Sequence, residues 1–265
     1  MLSSETIEVR ARRRGKAALA RQAAAARIGH LVYRVRDALF PIVLLTVAFG
    51  TSPRLAGGSV ATDHLVDAIG IGVALLGEAL RVLVIGLVYI TRGGQNRQVW
   101  ANSLVDTGMF AHSRNPLYVA NLLLFVGLAL VHNGWAMYLL VVPFFVVTYV
   151  CIVAAEEQYL YARFGESYSD YCRRVPRWLP SLRGLSNTLR STEFDWLKVL
   201  RKEYGTPFAW TSGVLILLVW EHYGAAGATA LGRGELAVII AIWIVLAVAY
   251  LTVRTLKLSG RLGTT

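Results

Sequence analysis

Apolar residues in this chain gather in long runs instead of alternating with polar ones. Six runs stand out, at residues 38–51, 66–91, 116–131, 135–155, 208–223 and 236–253. A soluble domain spreads its apolar positions as stripes, whereas unbroken runs of this kind predict transmembrane helices. A bilayer core about 30 Å thick takes roughly 20 helical residues to cross. The first, third and fifth runs are short by that measure and must draw on flanking residues. No alternating strand pattern occurs. The expected fold is therefore all-α, a polytopic transmembrane helical bundle of about six spans with cytoplasmic amphipathic helices.

The polar stretches divide the chain further. Residues 1–36 read as a basic, Ala-rich amphipathic helix lying at the membrane surface. Residues 37–181 form a transmembrane core with a polar cytoplasmic segment, 182–207 an amphipathic linker, and 208–265 a C-terminal transmembrane hairpin and tail. Within 156–174, apolar and aromatic residues recur at three- and four-residue steps, which predicts a helix interrupted at Gly165 and ended by Pro176. Residues 191–203 predict a second amphipathic helix with Phe194, Trp196, Leu197 and Leu200 on its buried side. Gly70, Gly72 and Gly77 suit close helix packing.

Charge sets the orientation. The chain carries 27 Lys/Arg and a net charge of +11. Twenty-four of the basic residues fall in 1–36, 92–115, 156–207 and the tail after 253; Arg54 and Arg233 alone occupy the alternate loops. The positive-inside rule then places both termini in the cytoplasm, in an inner (plasma) membrane protein. The charge reads as topology and contact with anionic membrane lipids, and argues against nucleic-acid binding. The first apolar run starts too deep for a cleaved signal peptide. Two cysteines offer no disulfide framework, and the five scattered histidines show no pair at metal-ligand spacing, so no metal site is expected.

The candidate chemistry lies in two polar clusters. The turn His132-Asn133-Gly134 joins the third and fourth runs and brings Ser113-Arg114-Asn115-Pro116-Leu117-Tyr118 and Glu156-Glu157 to one membrane face. Pro116 suits the first turn of a helix. Arg114, Asn115 and Tyr118 add a cation, an amide and a phenol at that helix start, where free N–H groups already favour an anion. Glu156 and Glu157 are either solvated at a helix exit or paired with a cation, since a carboxylate near the membrane is costly alone. Glu78 and Arg81, three residues apart in the second run, either pair with each other or face a pocket. Arg173, Arg174 and Arg177 either snorkel at the interface or meet an anion.

These residues also carry a resemblance. Leu104-Val105-Asp106-Thr107-Gly108, Arg114-x-Pro116-x-Tyr118, Glu156-Glu157-x-x-Leu160-x-x-x-Phe164-Gly165-x-x-Tyr168-x-x-Tyr171 and Val175-Pro176-Arg177-x-x-Pro180 occur in that order. Together, over residues 66–181, they resemble the isoprenylcysteine carboxyl methyltransferase family and its phospholipid methyltransferase kin. The resemblance implies an integral-membrane methyltransferase that uses S-adenosyl-L-methionine. It makes 37–181 the methyltransferase core, with Arg114, Asn115, Tyr118, Glu156, Glu157, Tyr168 and Tyr171 as cofactor-binding candidates. Glu157 and Arg174 are the catalytic candidates, with no general base assigned. The expected partner is a lipophilic or small-molecule methyl acceptor reached from the membrane lipids.

Two departures narrow the acceptor. Asn115 stands where the family usually has histidine, a variant similar to phosphatidylethanolamine methyltransferases. Residues 152–155, Ile-Val-Ala-Ala, lack the arginine that carboxyl-methylating members place before the acids. A thiol, an amine or a lipid headgroup thereby gains over a carboxylate. Two other classes compete. One is an NADPH-dependent membrane reductase similar to the sterol-reductase branch, which shares the Arg-x-Pro-x-Tyr-like turn. The other is a non-enzymatic membrane scaffold or transport protein, to which Glu78 and Arg81 would belong.

Overall fold

The structure is a computed structural model. It describes residues 4–88, 101–224 and 232–262, with side chains from residue 20 onward. The described residues form nine α-helices and no strands. They are α1 (Ser4–Gly50), α2 (Val60–Leu87), α3 (Pro116–His132), α4 (Val142–Phe164), α5 (Glu166–Arg174), α6 (Leu185–Ser191), α7 (Trp196–Glu203), α8 (Gly205–Gly224) and α9 (Arg233–Leu258). By length and composition, three helical stretches can cross a membrane: Val60–Leu87, Met137–Phe164 and Arg233–Leu258. The apolar α3 is shorter. The chain is thus an all-α, membrane-type bundle.

Several boundaries differ from the sequence expectation. The basic N-terminal helix and the first apolar run are one continuous helix, α1, which passes through Pro41 without ending. Ala26 and Tyr33, expected at a surface, are buried. The second span starts earlier than expected, at Val60, and its expected end at Thr91 lies outside the described residues. The fourth begins with a π-helical stretch, Met137–Val141. Pro143 lies two residues beyond it, and the missing proline N–H accounts for a local shift of the hydrogen-bond ladder.

The core is built on close contacts. In lipid the hydrophobic effect does not drive helices together, so backbone approach and side-chain fit must. The α2–α3 pair shows this. A Cβ on Gly70 would lie 2.8 Å from the Gly127 carbonyl, and one on Gly77 would lie 2.7 Å from the Ala120 carbonyl. Gly72, by contrast, has nothing within 4 Å. On the other side, α1 runs along α4. Phe145 of α4 stacks on Phe125 of α3, with centroids 3.5 Å apart, and takes the edge of Phe40 of α1 at 5.0 Å. Three helices therefore meet at one fully buried ring.

The charges near the middle of α2 are partnered. Arg81 bonds Glu203 of α7 at 2.5 Å, Asn121 of α3, and Thr206 of α8 at 3.3 Å. Glu78 accepts from the Trp210 indole at 3.1 Å. An intramembrane charge needs partners of this kind, and here they fasten α7 and α8 to α2. This pull reorients the amphipathic linker. Helix starts only at Trp196, and Trp196, Leu197 and Leu200 are exposed while Glu203 is buried. Phe194 alone keeps its expected role, packing against Gly86 of α2.

At the far end, Asn133 takes the left-handed conformation that closes α3, with φ 49°. His132 is fully buried beside it. Its Nδ1 accepts from the Gly134 N–H at 3.1 Å, so its Nε2 carries the proton and donates to the Ala48 carbonyl at 2.9 Å. The polar turn expected from sequence is therefore a fixed joint between α1, α3 and α4.

Candidate functional site

The start of α3 is held from outside by the chain that follows α5. The Arg114 N–H donates to the Pro176 carbonyl at 2.9 Å, and the Asn115 amide donates to the Arg177 carbonyl at 2.9 Å. Ser113 Oγ donates to the Trp178 carbonyl, and Ser181 N–H to the His112 carbonyl. The His112 ring completes the clamp. Its Nδ1 faces the Ser181 carbonyl at 2.8 Å and so must donate, leaving Nε2 to accept from the Thr188 hydroxyl at 2.9 Å. Sequence reasoning missed His112. Only its position next to the Ser-Arg-Asn-Pro stretch could have pointed to it.

Gly165 places the rest. With φ 52° and ψ −121° it occupies backbone space that disfavours a side chain, and it turns the chain from α4 into α5. The reversal buries Tyr168 and Tyr171 among Leu160, Phe164 and Val175. Tyr171 donates to the Phe110 carbonyl at 2.9 Å. Burial raises the pKa of both phenols. Glu157 adds to the rise at Tyr168, and Arg114 opposes it at Tyr171. Both hydroxyls are therefore protonated donors at neutral pH. Tyr171→Phe keeps the ring and loses one bond; a loss of about 1 kcal/mol, or about 3 °C in thermal midpoint, is expected on melting.

Between these elements lies an ionic ladder. Glu157 receives Arg177 in fork geometry, Nε at 3.0 Å and Nη2 at 2.7 Å, and Arg114 Nη1 at 3.1 Å. The same Arg114 nitrogen reaches the Cys172 sulfur at 2.8 Å. Burial works against the Arg114 charge, but Glu157, Cys172 and Tyr168 more than offset it, and its pKa is raised. Arg114 Nε is buried and has no hydrogen-bond partner. One residue away, Glu156 accepts from the Tyr118 hydroxyl at 2.5 Å. Arg36 of α1 lies against this pair, its guanidinium 4.0 Å from the Tyr33 ring centre. Arg36 and Arg177 join the site from elements distant in sequence.

Two cavities flank the ladder. One, of about 440 Å³, lies between α1 and α5, against Gln22, Ala26, Arg114, Glu157, Tyr168 and Cys172. The other, of about 330 Å³, lies between the 101–105 stretch and α4–α5, against Arg114, Asn115, Glu156, Glu157, Tyr168 and Tyr171. Arg114, Glu157 and Tyr168 form the wall common to both. These volumes are in the range of small-molecule sites, roughly 300–1,000 Å³. Six of the seven sequence-derived cofactor residues thus line a cavity, and Tyr118 touches it through Glu156. Arg174 does not join them. It sits on the outer face of α5, 65% exposed, and reaches Asp106 at 3.4 Å. Arg173 pairs with Asp170 on the same face.

Comparison with known proteins points the same way. Residues 68–167 match the family model for phospholipid methyltransferase. The cobalt-zinc-cadmium resistance protein CzcN of Cupriavidus metallidurans is 33% identical over 81 residues, 31% of this chain and 37% of that protein. The nickel-cobalt-cadmium resistance protein NccN of Alcaligenes xylosoxydans xylosoxydans is 28% identical over 110 residues, 38% of this chain and 51% of that protein. The chain thus spans between a third and about half the length of these curated relatives. No solved structure matches it.

Proposed function

We propose that this chain, whose residues 68–167 belong to the isoprenylcysteine carboxyl methyltransferase and phospholipid methyltransferase superfamily, transfers a methyl group from S-adenosylmethionine to a lipophilic or small nucleophilic acceptor. The observation that carries the reading is the wall of Arg114, Glu157 and Tyr168 between two cavities, with Arg114 Nε buried and unpartnered. A buried guanidinium N–H without an acceptor is rare and suits a ligand carboxylate. When bound, S-adenosylmethionine would supply an electrophilic methyl carried on a sulfonium.

The protein's part is placement. Arg114 would offer Nε to the cofactor carboxylate while Glu157, itself gripped by Arg177, holds its guanidinium. Glu156 and Glu157 together set negative charge beside the site, which favours a cationic donor. Tyr168, Tyr171 and Leu160 keep water from the reacting carbon. Because displacement at a sulfonium methyl depends on alignment more than on a strong base, these residues would serve to orient the acceptor and the donor. The site and both termini belong on the cytoplasmic side.

The acceptor we assign is a thiol or a lipid amine. Residues 152–155 carry no cation and are buried, with Ala154 and Ala155 packed on Ala26 of α1. No charge is present there to hold an acceptor carboxylate. The relatives' names tie those proteins to resistance to divalent metals. Carried to this chain, that link makes metal stress the setting in which the methyl transfer is to be sought.

Two measurements test the reading. Purified chain should bind S-adenosylhomocysteine and not NADPH in titration calorimetry; the reverse would favour the reductase reading. Labelled donor should then methylate panels of small thiols or aminophospholipids. Turnover of farnesyl-cysteine carboxylates alone would overturn the acceptor assignment.

A further inference from the structure

At the opposite end of the bundle, three acids converge that the methyl transfer does not use. Asp63 and Asp67 stand one turn apart at the start of α2, and Glu221 comes from the last turn of α8. Each offers an oxygen within 4.8 Å of the other two. All three are buried, at 3%, 7% and 2% exposure. Asp63 is aimed by its Oδ1, which accepts the Ala56 N–H at 2.8 Å. The ion pairs among the described residues involve none of the three. Three ionised carboxylates at this spacing cannot stay buried without positive charge among them.

A second observation concerns Glu221. Its side chain hydrogen-bonds Asp63 within the cluster, yet its Oε1 is buried and has no hydrogen-bond partner, and buried acceptors are seldom left open. The geometry suits a metal ion. An ion at the centre of a triangle with sides of at most 4.8 Å lies no more than about 2.8 Å from each oxygen. A side-chain adjustment of a few tenths of an ångström reaches the 2.0–2.6 Å of metal–carboxylate bonds. His64 and His222 act electrostatically on Asp67, and His222 Nδ1 donates to the Leu218 carbonyl at 2.8 Å.

We propose that Asp63, Asp67 and Glu221 form a divalent-cation site at the end of the bundle opposite the cofactor cavities. A divalent ion with one carboxyl still protonated leaves the cluster neutral, the state a buried site favours. The ion bridges α2 and α8 and so braces the C-terminal helices on the core, far from the transferring methyl.

The test uses full-length protein in detergent, freed of metal with a chelator. Calcium, magnesium, manganese, zinc and cadmium are titrated separately by calorimetry and by thermal melting. At least one should bind at about one ion per chain and raise the midpoint by several degrees. Asp67→Asn and Glu221→Gln should each weaken that ion at least about tenfold while eluting as folded monodisperse protein. If either variant fails to fold, the other carries the comparison. No binding of any ion below about 1 mM by the wild type, or unchanged affinity in the folded variants, overturns the site.

Discussion

Glu157→Ala will lose at least about tenfold in affinity for S-adenosylhomocysteine, close to 1.4 kcal/mol, and Glu156→Ala will lose less. Glu157 accepts from both Arg114 and Arg177. Charge-assisted hydrogen bonds of this kind contribute about 1.5–3 kcal/mol, and the modest exposure of the pair reduces that figure. Without the carboxylate, two guanidinium groups face each other across the cavity wall and Arg114 swings away from the ligand. Glu156 instead accepts from Tyr118 beneath the wall, so its removal disturbs the ligand only at second hand. Calorimetry on both variants, with gel filtration and circular dichroism to confirm folding, measures the difference. Wild-type affinity in a folded Glu157→Ala protein would reject the assignment.

Gly127→Leu will unfold or fail to insert, or melt about 10 °C below wild type. The α2–α3 crossing leaves no room at this position. A Cβ there would sit 2.6 Å from the Gly70 carbonyl and 2.9 Å from the Ala74 nitrogen. Both are backbone atoms, so no side chain can rotate aside, and the helices must separate. Overpacking of that kind costs about 3 kcal/mol or more, and each kcal/mol moves the midpoint of a chain this size by about 2–4 °C. Gly72→Leu is the control. Gly72 lies on the same helix with nothing within 4 Å, and its variant should melt with the wild type. Equal melting of the Gly127 and Gly72 variants would refute the packing argument.

Local pattern carried the helices. Runs of apolar residues, Pro116 at a helix start and Gly165 at a break all act through the chain's own backbone, within a few residues. Those elements were legible for that reason. The union of 108–118 with 156–180 followed from one turn, because a helical hairpin returns the chain to the face it left. The amphipathic linker was legible only in part. Its helix starts at Trp196, Glu203 turns inward to Arg81, and Trp196 and Leu200 lie on the outer surface, the side an interfacial helix gives to lipid.

Residue type and spacing by themselves determined an all-α membrane bundle, the two polar clusters on one face, and two of the three glycines expected at helix contacts, Gly70 and Gly77 but not Gly72. Only the tertiary structure decided which charges meet. It gave Glu157 the guanidinium of Arg177, set Arg36 against Glu156, sent Arg174 to the outer surface, and folded α8 back to lay Glu221 beside Asp63 and Asp67. Asp63 and Asp67 share a face of α2 only because the helix starts at Val60, ahead of the apolar run, and Glu221 lies more than 150 residues away. Periodicity is a property of neighbours along the chain, whereas the partner of a buried charge is whichever group the packed helices bring within reach.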